Sequence, residues 1–190
     1  MAAEILIVVV LMLLNGVFAG AEIAVLYCVP ITFRGGYGRG FLFPASDVDV
    51  LVLLPEAHVR DEAVKSAVSD FITACWDVGL EIGSSVRTLA ECITEAKADV
   101  TVQTALLESR LLCGTRKVYK QFADRTLASV EPESFLRAKT LEMRQRHEKY
   151  EDTPYALEPN SKESPGGLRD LQVVIWVARG AGLGRTWTEL

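Results

Sequence analysis

Residues 48–54 read VDVLVLL, a β-branched and leucine run broken only by Asp49 near its head. A short, nearly continuous apolar run of this kind suits a central strand covered on both faces, which an α/β layer arrangement provides. Pro55 ends it, because proline cannot continue a hydrogen-bonded ladder. Over residues 56–78, Val59, Ala63, Val64, Ala67, Val68, Phe71, Ile72 and Cys75 recur at the three-four spacing of an amphipathic helix. Gly79 is placed to cap that helix. Residues 80–86 read as another strand. Residues 88–97 read as a helix opened by Thr88, with Glu91 three positions on as a capping box. The segment 101–113 is expected to be helical and to end at Gly114. Residues 116–127 and 132–150 are expected to be further helices, the second led by Pro132. Upstream, VLYCVPITF supplies a first strand, with Pro30 favouring a sheet edge or a strand start. Residues 41–46 read as a short turn or helix. The fold class is α/β, a mixed sheet with flanking helices followed by a helical segment.

The chemistry concentrates at residues 35–49, GGYGRGFLFPASDVD. Gly35 and Gly36 can present backbone N–H groups with no side chain in the way, which suits phosphate oxygens. Asp47 and Asp49 bracket Val48 at the start of the central strand. Residues two apart on a strand share a face, so both carboxylates address one spot. Two hard oxygen donors beside a phosphate cradle are suited to Mg²⁺ on a nucleotide. No Gly-Lys-Ser/Thr follows, so this is not a Walker loop. The recurrence of Gly36, Gly38 and Gly40 at every second residue, with Phe41 after them, is not a dinucleotide fingerprint either.

The glycine pair, a gap of about ten residues and Asp-x-Asp together resemble the nucleotidyltransferase superfamily. Within it the chain is similar to the bacterial PII-uridylyltransferase family. The matching text is GGYGRG, LFPASDVDVLVLLP, FITACWDVGLEIGSSVRT, ADVTVQTALLESRLLCG and the long C-terminal stretch around LEPNSKESPGGLRDLQ. The resemblance covers roughly residues 34–190. It implies a nucleotidyltransferase-superfamily sheet and transfer of a uridylyl group from UTP to a tyrosine of the PII signal protein, with Mg²⁺ held by Asp47 and Asp49. Superfamily members place a third acid on a later strand, and Asp99 in ADVTV is the candidate. Helix N-capping is the competing role for Asp99, and Glu81 is a rival acid. Implied nucleotide contacts are Gly35, Gly36, Arg39, Ser46, Lys162, Gly166, Gly167 and Arg169. The loop 153–167 is implied to close over the nucleotide, with Gly166 and Gly167 before a helix N-terminus. A plain helix–helix connection with Arg169 and Asp170 paired to neighbours is the alternative. Phe41 departs from the family, which has an acid after GGYGRG. An inactive nucleotide- or PII-binding remnant is therefore an alternative function. The family continues into a His-Asp hydrolase and glutamine-sensing domains. Here His58 and His147 are the two histidines, neither in a His-Asp pair.

The net charge of −5 argues against nucleic-acid binding through bulk charge. Cysteines 28, 75, 92 and 113 have no paired spacing, so zinc is not expected, and Cys75 and Cys113 read as reduced core residues of a cytoplasmic protein. The N-terminus points elsewhere. Residues 5–14 read ILIVVVLMLL, and apolar character extends to residue 29. Residues 1–29 form an apolar helix, and a transmembrane span of roughly 20 residues, a signal peptide and a buried helix all stay open. Gly16 and Gly20 have the Gly-x-x-x-Gly spacing of closely packed membrane helices. This segment resembles the first membrane helix of the cyclin-M-like family. A fused or misassembled reading frame joined near residues 29–34, truncated at the other end and tethered to a membrane, is the corresponding expectation. The domain reading is 1–29 apolar helix, 30–130 nucleotidyltransferase core and 131–190 helical extension.

Overall fold

The computed structural model describes residues 29–34, 38, 48–80, 82–155, 157–158 and 160–190. The expectations of an apolar helix at 1–29 and of a short turn or helix at 41–46 fall outside them, apart from residue 29. Among the described residues, no helix is long and apolar enough to cross a membrane. The chain divides into two compact units, one from the described residues up to Cys92 together with Glu108–Phe122, the other from Ile93–Leu107 and Ala123–Leu190.

The first unit is built on a four-stranded sheet of β1 (Ile31–Arg34), β2 (Val48–Leu53), β3 (Ile82–Arg87) and β4 (Arg110–Cys113) in the order β3-β2-β1-β4. β1 runs antiparallel to β2 and β4, and β2 runs parallel to β3. The apolar run is thus a central strand, as its composition requires. Pro30 sits just before β1, where its missing N–H costs the ladder nothing. Its carbonyl accepts from the Leu53 N–H at 2.8 Å.

A parallel pair needs a crossover, and helix α1 (Glu62–Asp77) supplies it. It follows a short 3-10 turn at Glu56–His58, so the helix starts later than residue 56. Asp61 sets the start, its carboxylate accepting from the Ala63 N–H at 3.1 Å. Gly79 terminates it at φ 81°, a left-handed conformation open to glycine, and donates its N–H to the Trp76 carbonyl. Val64, Val68, Phe71 and Cys75 of α1 pack on Ile31, Phe33, Val50 and Val52. Burying each such side chain contributes roughly 1.5–3 kcal/mol, which fixes α1 on that face of the sheet.

Helix α2 (Leu89–Ala98) opens with the expected capping box. Thr88 N–H donates to Glu91 Oε2 at 2.7 Å, and Glu91 N–H donates to Thr88 Oγ1 at 3.2 Å. The expectation of one helix over 101–113 is corrected. Helix α3 (Val100–Leu107) ends early, and 110–113 form β4. Pairing with β1 decides this, since a four-residue run carries too weak a local preference to resist a ladder. Cys113 is corrected as well. Cys113 closes β4 opposite Ile31, past a register shift in the β1–β4 ladder, and it is exposed while Cys75 is buried.

In the second unit, α3, α5 (Pro132–Lys149) and α6 (Leu168–Gly180) pack together; α4 (Arg116–Ala128) precedes α5. Leu107, Val130, Phe135, Val173 and Trp176 form its core. α5 begins with Pro132 in its first turn, as expected. Glu131 caps it by accepting from the N–H groups of Glu133 and Ser134.

Candidate active site

Strand alternation separates the two faces of the sheet. Val48, Val50 and Val52 face α1 with Ile31 and Phe33, so Asp49 points to the opposite face. There the register sets Arg34, Asp49 and Gly83 in one row across β1, β2 and β3. Asp49 is partly buried, and among the described residues nothing hydrogen bonds to its carboxylate. A Cβ built on Gly83 would stand 2.8 Å from Asp49 Oδ1, so the carboxylate occupies space that any side chain at 83 would fill. A free carboxylate on a strand end beside an open backbone suits a hard cation, which prefers oxygen donors. Among the described residues, no group of three His, Cys, Asp or Glu side chains could hold a metal ion. Asp47, Gly35, Gly36, Arg39 and Ser46 lie outside the described residues.

One glycine of the GGYGRG turn is described. A Cβ on Gly38 would come within 2.1 Å of the Glu108 carbonyl oxygen and 3.1 Å of the Phe33 carbonyl oxygen. Gly38 therefore lies against the backbone just before β4, and a glycine is required there for close approach rather than for its dihedral freedom.

Asp99 stands between two helices rather than on a strand, since α2 ends at Ala98 and α3 begins at Val100. Its Oδ1 accepts from the Thr101 N–H at 2.6 Å. That bond, ahead of the opposing effect of burial, holds its pKa below the ordinary value. The carboxylate thus makes the N-cap contact that competes with a metal role.

The C-terminal candidates sit in the second unit. Gly166 has φ 78°, and a Cβ on Gly167 would come within 2.8–3.0 Å of the Ser164, Ser161 and Lys162 carbonyl oxygens. The N–H groups at the start of α6 are used within the chain. Gly166 donates to Asp170 Oδ2 at 2.7 Å, Gly167 to Ser164, Leu168 to Ser161 and Arg169 to Lys162. The helix N-terminus therefore already holds an anion, the carboxylate of Asp170. Arg169 pairs with Glu163 at 3.0 Å and lies 5.5 Å from the Trp176 ring. Lys162 is exposed, and among the described residues its ammonium has no hydrogen bond or ion pair.

The alternative of Arg169 and Asp170 paired to neighbours is borne out, and Arg146 and His147 are the partners of Asp170 that the sequence did not indicate. Its carboxylate accepts from Arg146 Nη2 and lies 2.9 Å from His147 Nε2. Burial alone would raise the Asp170 pKa, but the hydrogen bonds from His147, Gly166 and Arg146 outweigh it and leave the pKa lowered. His147 and Asp170 are thus a pair in space, though not in sequence. Beside this clasp lies Lys139, 1% exposed, donating to Glu142 at 2.7 Å with its ammonium 4.5 Å from the Trp176 ring centroid. Gly83 was missed too, although an isolated glycine inside a strand pattern signals a close approach.

Two family models match the chain. "Nucleotidyltransferase domain" matches residues 29–112 and so spans all four strands. "GlnD PII-uridylyltransferase" matches residues 134–190, taking in Arg146, His147, Glu163, Arg169 and Asp170. The chain is thus similar to nucleotidyltransferase domains over its strands and to PII-uridylyltransferases over its C-terminal part. It is 61% identical over 156 residues to the bifunctional uridylyltransferase/uridylyl-removing enzyme of Cupriavidus pinatubonensis, covering 82% of this chain. It is similar at 62% over 153 residues to the protein of that name from Bordetella avium, covering 80%. The one from Burkholderia orbicola is 59% identical over 156 residues, covering 82%. In each case the match spans 18% of the relative's length. The nucleotidyltransferase-domain match therefore takes in the sheet that carries Asp49.

Proposed function

We propose that this chain transfers a uridylyl group from UTP to a tyrosine of the PII signal protein and releases pyrophosphate. The observation that carries the reading is the uncommitted carboxylate of Asp49 beside the bare backbone of Gly83, on the central strand of a sheet that matches the nucleotidyltransferase domain. Asp49, with Asp47 two positions earlier, would hold Mg²⁺, and Asp99 remains the sequence-derived third acid. The bound ion would neutralise triphosphate charge and polarise the α-phosphorus.

The chain's own groups do the positioning. Backbone N–H groups of Gly35 and Gly36, with Arg39 and Ser46, receive the phosphate oxygens. Lys162, Arg169 and the turn at Gly166 and Gly167 belong to the loop whose nucleotide role rests on the family resemblance. The tyrosine oxygen forms a bond to the α-phosphorus as the bond from that phosphorus to the bridging oxygen breaks. Pyrophosphate leaves and the hydroxyl proton passes to solvent. Catalysis of this kind is mainly orientation and charge stabilisation.

The test incubates the full chain with PII, Mg²⁺ and UTP labelled at either the α- or the γ-phosphate. Label in PII from the α position alone supports uridylyl transfer. Label from the γ position would make the reaction a phosphoryl transfer. UTP binding with no label in PII would favour the inactive remnant.

A further inference from the structure

We propose that Gly83 is a positioning residue for Asp49, its missing side chain being the space in which the carboxylate stands. The link from that carboxylate to a metal and a nucleotide rests on the function proposed above, whereas the steric argument does not.

β2 and β3 run parallel with Asp49 directly across from Gly83. Directly registered residues on adjacent strands project to the same face and compete for the same volume. A Cβ on Gly83 would lie 2.8 Å from Asp49 Oδ1 and 3.9 Å from its Cγ, and the first of these is shorter than real Cβ contacts allow. Even alanine at this position must therefore displace the carboxylate.

Nothing else in the structure calls for glycine there. Gly83 is not among the glycines with positive φ, so its backbone suits any residue. Glycine is unfavourable inside a strand, where it adds flexibility to the unfolded chain and offers no side chain to pack. The next residues of β3, Ser84 and Ser85, carry side chains opposite Val50 and Leu51. The gap is confined to the row that holds the acid. Arg34 completes that row on the other side of Asp49.

The test compares the full-length wild type with Gly83→Ala, Asp49→Asn, the double variant and Ser84→Ala, an exposed position on the opposite face. Crystal structures of the wild type and Gly83→Ala are solved, and Mn²⁺ uptake in the presence of UTP is followed by electron paramagnetic resonance. The expected result is a folded Gly83→Ala protein with its Asp49 carboxylate turned away from β3. Its Mn²⁺ affinity should be about 10- to 100-fold weaker, as for a residue that orients a ligand. Gly83→Ala should add no further loss on the Asp49→Asn background, and Ser84→Ala should bind as wild type does. A Gly83→Ala structure with Asp49 unmoved, or losses that simply add in the double variant, would overturn the proposal. Should the wild type take up no Mn²⁺ with UTP, the proposed function would fall, and the position of Asp49 in the Gly83→Ala structure would still decide the steric claim.

Discussion

Replacing Asp170 by Asn removes one charge from the middle of the clasp that ties the loop before α6 to α5. In the wild type the carboxylate accepts from the Gly166 N–H at 2.7 Å, approaches His147 Nε2 at 2.9 Å and pairs with Arg146. The Arg146 side chain is 10% exposed and that of Asp170 19%, so water screens the pair poorly. Removing one partner of a buried ion pair costs about 3–5 kcal/mol. Two features reduce that figure here. Asn keeps an acceptor for Gly166, and Arg146 retains Glu163 at 3.9 Å. A loss of about 2–3 kcal/mol follows, or about 5–10 °C in Tm for a chain of this length. Thermal and urea unfolding followed by circular dichroism read it directly. The pH dependence gives a second check. The folded-state pKa of Asp170 is lowered, so its stabilisation is complete above the unfolded value of about 3.9. It is lost as pH falls from there through the folded pKa. The gap between wild type and Asp170→Asn should therefore close on acidification below about pH 4. A Tm within about 2 °C of wild type at pH 7, or a gap that stays constant into acid, would refute the reasoning.

Two further substitutions probe the same physics. Lys139 is buried, and burial, against the pull of Glu142, lowers its pKa. Lys139→Met should leave unfolding free energy within about 1 kcal/mol of wild type, because an apolar side chain replaces a costly buried charge. Glu142→Gln should cost more, about 1–3 kcal/mol in the same urea assay, because the ammonium stays buried with a weaker partner. Thr88→Ala removes one half of the α2 capping box and should cost about 1 kcal/mol in urea unfolding.

The parts of the fold written in local signals were legible in the sequence. The α1 stripe from Val64 to Cys75, the Gly79 stop, the Thr88–Glu91 box and the proline at the head of α5 each depend on residues within a turn or two. β4 was not legible, because residues 110–113 become a strand through pairing with β1, about eighty positions away in the chain. Asp49 could be proposed as a site residue from the sequence because its spacing from the glycines is a sequence property. Gly83 could not, since its meaning depends on the β2–β3 register. The partners of Asp170, though not its pairing, escaped for a similar reason, since His147 and Asp170 are 23 positions apart and meet only when α5 and α6 pack.

The proposed role of the Asp49 carboxylate in nucleotidyl transfer is read out by the rate of label transfer from α-labelled UTP to PII. Asp49→Asn preserves the shape of the side chain and the strand around it. The account predicts folded protein with a rate at least about 10³-fold lower, which corresponds to about 4 kcal/mol of lost transition-state stabilisation. A folded Asp49→Asn protein that labels PII at close to the wild-type rate would contradict it.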